Sequence, residues 1–393
     1  MDLFDKCHQF TYARTAQEIG IYPFFIPLSQ SEGTVAWVGD HRILMCGANN
    51  YLGLTTDPRV RQAAMDAIKE YGTSCTGSRL ANGTLEIHED LERGLAEFVG
   101  KERALVFASG YQVNVGVISS LVSKSDFVIT DKEDHASIVD GCMLSRGTIR
   151  RFRHNDMEDL DRVLSILPSD SGKLVVVDGV FSVTGDIAPI PEIVQLCKKH
   201  NARFMVDDAH ALGILGGGRG TSAHFGVTDD VDLIMGTFSK SFASMGGFVA
   251  GDEQIIHFIQ HQARAFVFSA ALTPPNVASA RAALEIMIEE PGRINRLNQI
   301  GDRMRQTYTD LGFDIGPSQT PIIPIIIGED LRTALVWKRL FEEGLYTNVF
   351  VPPGVPANMS LLRTSYMATH TDEQLDEIID IVTRVGREAN LIP

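Results

Sequence analysis

The stretch VDLIMGTFSKSFASMGGF, residues 231–248, puts a long charged side chain where the chain is made mostly of small residues. VDLIM (231–235) is an apolar run of strand length, and Lys240 follows just beyond it, behind Thr237, Phe238 and Ser239. A surface lysine needs no such setting. A lysine that must reach something held against the backbone does, and small neighbours would let the backbone approach a flat ligand.

The same rhythm recurs on either side. Apolar runs ALVF (104–107), FVIT (127–130), LVVVDG (174–179) and FMVDD (204–208) alternate with helical patterns such as DLDRVLSIL (159–167) and PEIVQLCKKH (191–200). Near-continuous apolar strands alternating with amphipathic helices imply an α/β domain over residues 47–280, with a mostly parallel central sheet covered by helices on both faces. Residues 1–46 read as an N-terminal arm, with a helical opening, the proline-punctuated IYPFFIPL and a hairpin VAWVGDHRILM (35–45) turning at Gly39 and Asp40. Residues 281–393 read as a smaller α+β C-terminal domain. Its expected parts are a helix from near Ile294 to near Leu311, strands PIIPIII (321–327) and LYTNVFV (345–351), and a final helix from near Asp372.

The bulk composition narrows the function. A net charge of −15 argues against a nucleic-acid footprint, which needs a basic stripe. The five cysteines are scattered, odd in number and without CxxC pairs, so neither a disulfide framework nor a metal site is expected. A reducing, cytosolic compartment follows. No apolar stretch reaches the roughly 18–20 residues needed to span a bilayer, and the N-terminus lacks a signal-peptide pattern. Peripheral contact with a membrane stays open.

Chemistry-bearing residues gather just past the strands. LVVVDGVFS ends in Asp178 and Ser182, FMVDDAH in Asp207, Asp208 and His210, LIMGTFSK in Thr237, Ser239 and Lys240, and FVITDKEDH in acids and His135. In open α/β sheets ligands bind beyond the carboxyl ends of the strands. A lysine, a carboxylate and hydroxyls among small residues suit an aldehyde cofactor that carries a phosphate. Lysine forms a Schiff base with pyridoxal phosphate, and an aspartate paired with the pyridine nitrogen keeps the ring an electron sink. Asp207 is the candidate because it directly follows FMV; Asp208 faces the other way by strand alternation. SGYQVNVG (109–116) follows a strand and opens a helix, which makes a phosphate cradle, and Thr237 and Ser239 can add hydroxyls.

These residues carry a resemblance. GTFSKSFASMGGFVAG, VDDAHALGILGGGRG, DHASIVDG and SGYQVNVG are similar to the α-oxoamine synthases, and the likeness runs from NNYLGL (49–54) to LLRTSYMATHT (361–371). The resemblance implies fold type I, the aspartate aminotransferase-like fold of pyridoxal 5′-phosphate-dependent transferases, and the condensation of an amino acid with an acyl-CoA with loss of CO2. YGTSCTGSRLANGT, HFGVTDDVDLIMGTFSKSFAS and MATHT are most similar to the branch that joins L-serine to palmitoyl-CoA in sphingolipid synthesis. By the same likeness, Lys240 holds the cofactor and moves the Cα proton, Asp207 pairs with the ring nitrogen, and His210 bonds the ring's phenolic oxygen. His135 stacks on the ring and helps place the substrate carboxylate. Gly110, Tyr111 and Ser239 hold the phosphate with Thr237 nearby, and Arg363 binds the amino-acid carboxylate. Asn50 and Ser269 resemble residues reaching a neighbouring subunit's site, which implies a homodimer with shared sites. Some relatives carry a further arginine before the prolines; NVFVPPGVP (348–356) has none.

Sister reactions remain in view: glycine with acetyl-CoA, or cysteate with a fatty acyl-CoA. So do a silent partner subunit, which the presence of Lys240, Asp207 and both histidines disfavours, and a membrane-bound lipid carrier, which the missing span disfavours. The glycine-rich LGGGRGTSAHFG (215–226) lacks the context of a dinucleotide or P-loop motif and reads as a mobile active-site loop or a plain turn. Arg79 is read either as facing acyl-CoA or the dimer interface, or as a structural ion pair. His370 carries no assigned role.

Overall fold

Lys173–Asp178 (KLVVVD) is buried at every position, and its valines suit a strand covered on both faces. It lies inside a seven-stranded sheet of the computed structural model, which describes residues 2–393. In chain order these strands are β1 (Arg103–Phe107), β2 (Phe127–Asp131), β3 (Thr148–Phe152), β4 (Lys173–Asp178), β5 (Arg203–Asp207), β6 (Leu233–Thr237) and β7 (Gly247–Gly251). Their spatial order is β1-β7-β6-β5-β4-β2-β3. The pairs β6/β5, β5/β4, β4/β2 and β2/β3 are parallel, while β7 is antiparallel to both β1 and β6. The mostly parallel sheet read from the sequence is therefore present, with helices on both faces. The register sets Asp178 beside Asp207, and Asp207 beside Met235, so the carboxyl ends of β4, β5 and β6 align.

The chain divides into two compact units: residues 49–299, and residues 1–48 together with 300–393. The division differs from the reading of an arm over 1–46, a large domain over 47–280 and a C-terminal domain over 281–393. Two packing facts account for the difference. Leu345–Tyr346 pairs in parallel with Leu44–Met45, so the N-terminal hairpin and a C-terminal strand share one four-stranded sheet. The helix Pro274–Glu289 packs on the helices Pro58–Tyr71 and Glu86–Val99 and stays with the larger unit.

The smaller unit also holds a three-stranded sheet of Ile322–Gly328, Ser360–Ser365 and Asn348–Phe350. Its core brings Leu44 and Leu345 together with Ile323, Leu362 and Ile378. The last helix, Asp372–Glu388, starts at a capping box: Thr371 Oγ1 accepts from Gln374 N at 3.2 Å, and Gln374 Oε1 accepts from Thr371 N at 3.1 Å.

Candidate active site

Beyond the carboxyl ends of β4, β5 and β6 lies a cavity of about 290 Å³, whose walls include Lys240, Asp207, His135, His210, Thr237 and Asp178. The structure therefore brings together the lysine, the carboxylate and both histidines expected from the sequence. Gly110, Tyr111 and Ser239 line the same cavity.

Lys240 sits on a loop held tightly by its neighbours. Phe238 N donates to Gly246 O, Ser244 N to Phe238 O, both at 2.9 Å, and Ser241 Oγ to Leu212 O at 2.7 Å. Phe238 and Phe242 are fully buried and pack together. Ala243 takes φ +51°, a left-handed conformation that costs an L-residue roughly 1–2 kcal/mol and is held here by the turn closed from Ala243 N to Lys240 O. The small residues answer to packing. A Cβ on Gly246, at φ +109°, would lie 2.7 Å from the Phe238 ring, and one on Gly247 would lie 2.8 Å from Gly110 Cα. Gly246 and Gly247 are small because the loop crosses a ring and a helix start, and Gly246 also lines the cavity.

Helix α1 (Gly110–Leu121) opens at the same edge. Ser109 is its N-cap and accepts from Gln112 N at 3.2 Å. A Cβ on Gly110 would meet Thr237 Oγ1 at 2.7 Å, so glycine alone lets the helix start against β6. Thr237 Oγ1 donates to Gly246 O at 3.1 Å and lies 3.0 Å from Ser239 Oγ. Backbone N–H groups at a helix start and the Ser239 hydroxyl thus converge, a donor set that suits an anion. Tyr111 lines the cavity and its phenol donates to the Asp140 carboxylate.

At the floor, Asp207 Oδ1 accepts from Ala209 N at 2.9 Å and Oδ2 from Asn114 Nδ2 at 2.7 Å. His135 N-caps helix α2 (Ala136–Leu144): its Nδ1 accepts from Ser137 N at 3.2 Å and lies 2.7 Å from Ser137 Oγ. Burial, with Lys240 nearby, lowers the His135 pKa against the opposing pull of Asp207, so the ring is neutral. His210 is buried and shares a hydrogen bond of 2.7 Å with Tyr51 Oη. Asp178 Oδ2 accepts from His135 N at 3.0 Å, and Asp134 Oδ1 from Asp178 N at 2.9 Å. Burial pushes both of these carboxyls well above the usual range.

Asn114, Ser137 and Tyr51 have no place in the sequence reading of the site. A signal existed for the first: a single amide in the apolar run VNVGVI, one helical turn beyond Gly110. Ser137 and Tyr51 carry no local signal.

Asp208 faces away from the cavity, as strand alternation requires. Its carboxylate accepts from Thr221 N at 3.0 Å and Thr221 Oγ1 at 2.6 Å. A Cβ on Gly220 would meet Asp208 Oδ2 at 2.1 Å. Gly218, Gly220, Thr221 and Ser222 are buried. Asp208 thus fastens the run at Thr221, and no residue of 215–226 lines the cavity, which corrects its reading as an active-site loop.

Burial raises the Asp208 carboxyl from 3.8 to about 7, only partly offset by Thr221. Between those values the native state holds a proton that the unfolded chain has lost, so this group's contribution to stability falls as pH rises from 3.8 through 7. Asp208→Asn, neutral at every pH, should gain on the parent over that window and hold its gain above it. Urea midpoints at pH 5 and pH 8 check this; an equal difference at both would contradict it.

Three expected residues lie elsewhere. Asn50 Nδ2 donates to Thr55 Oγ1 at 2.8 Å, Ser269 Oγ accepts from Gln112 Nε2 at 3.0 Å, and neither lines the cavity. Arg363 belongs to the smaller unit, buried on the strand Ser360–Ser365 with its backbone opposite Pro324 and Asn348. His370 Nδ1 accepts from Met367 N at 2.9 Å in the turn before the last helix, a structural placement. Arg79 is an internal ion pair, with Nη1 and Nη2 on Glu92 Oε1 and Oε2 at 2.8 and 3.1 Å. Among the described residues no group of three metal-ligating side chains is placed to hold a metal ion, and no helix is long and apolar enough to cross a membrane.

Comparison with known proteins agrees with this geometry. Residues 42–382 match the aminotransferase class I and II family. The chain is 47% identical over 390 residues to a serine palmitoyltransferase of Sphingobacterium spiritivorum, covering 99% of this chain and 98% of that one. It is 46% identical over 374 residues to the serine palmitoyltransferase of Bacteroides thetaiotaomicron, covering 95% of each. The solved Sphingomonas wittichii serine palmitoyltransferase superposes with a TM-score of 0.97 at 40% identity, covering 100% of both chains. With strand order, cavity and sequence in agreement, the chain belongs to the aminotransferase class I and II family, in its α-oxoamine synthase branch.

Proposed function

We propose that this chain is a pyridoxal-phosphate-dependent acyltransferase that condenses L-serine with palmitoyl-CoA to 3-ketodihydrosphingosine, CoA and CO2. The observation that carries the reading is one cavity lined at once by a primary amine, a buried carboxylate, two histidines and an anion-binding helix start. Likeness over nearly the whole chain to proteins named serine palmitoyltransferase supports the choice of substrates.

The residues fit the cofactor. Gly110, Tyr111 and Ser239 would hold its phosphate with Thr237 nearby, Asp207 its ring nitrogen, His210 its phenolic oxygen, and His135 its face. Bound there, pyridoxal phosphate supplies an aldehyde for amines and a ring that accepts the electron pair released at the substrate α-carbon. Asp207 accepts two N–H bonds and keeps lone pairs for a cationic partner. His135 is held neutral and can lie against a ring without charge repulsion. Lys240 would carry the α-proton, and the rigid Phe238–Gly246 loop keeps its stem in place. Arg363 would grip the serine carboxylate through two parallel N–H bonds, a geometry that lysine cannot match.

The proposal includes a homodimer. Tyr111 and Met245 line the cavity yet are 47% and 59% exposed, and Met143, Leu144 and Phe268 are exposed as well. A second copy bringing Asn50 and Ser269 would cover such a rim. The five unpaired cysteines suit a reducing cytosol.

The test is free-CoA release by the cofactor-loaded chain, taken at a sedimentation mass of twice 43.1 kDa. Serine, glycine, alanine and cysteate are each crossed with palmitoyl-CoA and acetyl-CoA, and products are identified by mass. Release with serine and palmitoyl-CoA alone is expected. Release with glycine and acetyl-CoA, or with cysteate, would replace the substrate assignment. Activity in a fraction of 43.1 kDa would remove the dimer.

A further inference from the structure

Asn114 is fully buried on α1, and its amide group makes two bonds that matter together. Nδ2 donates one hydrogen to Asp207 Oδ2 at 2.7 Å and the other to Ser137 Oγ at 2.8 Å. Its Oδ1 is buried with no hydrogen-bond partner among the described residues. The amide cannot be reversed, because Oδ1 would then face the Asp207 carboxylate with no proton between them. A leucine would fill a similar volume without a buried unsatisfied acceptor, so packing alone does not account for an amide here.

The second bond continues. Ser137 Oγ accepts from Asn114, so its own proton is the one that reaches His135 Nδ1 at 2.7 Å. Ser137 N points at the same nitrogen at 3.2 Å. Asp207 and His135, 72 positions apart in the chain, are thereby tied to one side chain. Networks of this kind, polarised in a low-dielectric interior, hold their members in one geometry.

We infer that Asn114 is a positioning residue that orients the Asp207 carboxylate directly and the His135 ring through Ser137, so that both meet a flat cofactor in register. The inference rests on the reading of the cavity as a pyridoxal phosphate site. It assigns no contact between Asn114 and substrate.

Asn114→Leu should weaken pyridoxal phosphate binding, measured by equilibrium dialysis, by on the order of tenfold. It should also diminish the circular dichroism that the bound cofactor's visible band acquires in the pocket. In an Asp207→Ala background the same substitution should lose much of its effect on affinity, because the direct route through the carboxylate is gone and only the Ser137 branch remains. Equal fold-losses in both backgrounds would mean that Asn114 does not act through Asp207, and would overturn the proposal. Ser137→Ala should keep affinity within roughly threefold yet alter the dichroism; an unaltered band would remove the His135 branch. Where the leucine variant does not fold, Asn114→Thr serves, since a hydroxyl can donate to only one of the two acceptors. Urea unfolding of the full chain without cofactor runs the same Asn114–Asp207 cycle, and strict additivity there would also overturn the proposal. A parent chain that binds no pyridoxal phosphate would sink the functional reading, while the urea cycle would still decide the coupling.

Discussion

Lys240→Ala is expected to lower CoA release by on the order of 10³-fold, the span of a lost general acid–base group. The effect is large because one amine does two things in the proposed reaction: it holds the cofactor and it carries the α-proton. The loop should survive, since it is anchored by Phe238, Ser241 and Phe242, so the unfolding midpoint should stay close to that of the parent. Borohydride treatment followed by peptide mass analysis separates the outcomes. In the parent the cofactor mass should appear on the peptide containing Lys240; in the variant it should appear on none. Covalent cofactor elsewhere in the variant, with turnover within tenfold of the parent, would mean that another amine does the work.

Glu92→Ala is expected to destabilise the chain by about 3–5 kcal/mol, the range for removing one partner of a buried ion pair. Arg79 and Glu92 have side chains only 5% and 13% exposed, and their contact is bidentate. Glu92 Oε1 also accepts from Val106 N at 2.8 Å, so the carboxylate fastens its helix to β1. Without it, a guanidinium is left buried over the Phe266 ring, 5.6 Å away, with its Nε still donating to Thr84 Oγ1 at 3.0 Å. Removing both charges, as Arg79→Met with Glu92→Met, should cost less than Glu92→Ala alone, because no uncompensated charge remains. Urea midpoints decide; a double variant less stable than the single one would contradict the electrostatic account.

Much of the cavity was legible before any fold was known. Strand-length apolar runs end in Asp178, Asp207, Thr237 and the residues just beyond, and in a parallel sheet those ends share an edge. Ser109 and Gly110 were legible because a cap and a glycine after a strand are local signals. Asp208 was legible in direction, since neighbours on a strand face opposite sides.

The glycine-rich run 215–226 was misread as an active-site loop because composition alone does not say where a glycine run lies. Its Gly220 answers to the Asp208 carboxylate and its Gly218 to Met287 and Ile294, neighbours that only the fold supplies. For the glycines after Lys240, the neighbours that restrict them, Phe238 and Gly110, were not legible because they reach them only through the fold.

Local patterning by itself determined the order of strands and helices and the residues that arrive at their ends, because periodicity and turn chemistry act over a few positions. Tertiary structure decided who bonds to whom. Asn114 meets Asp207 across 93 positions and Tyr51 meets His210 across 159. The N-terminal hairpin joins a C-terminal strand where Leu44 pairs with Leu345. Such pairings depend on strand register, helix placement and side-chain rotamer together. A hydrogen bond tolerates errors of only a few tenths of an ångström, and no local pattern constrains three dimensions that closely.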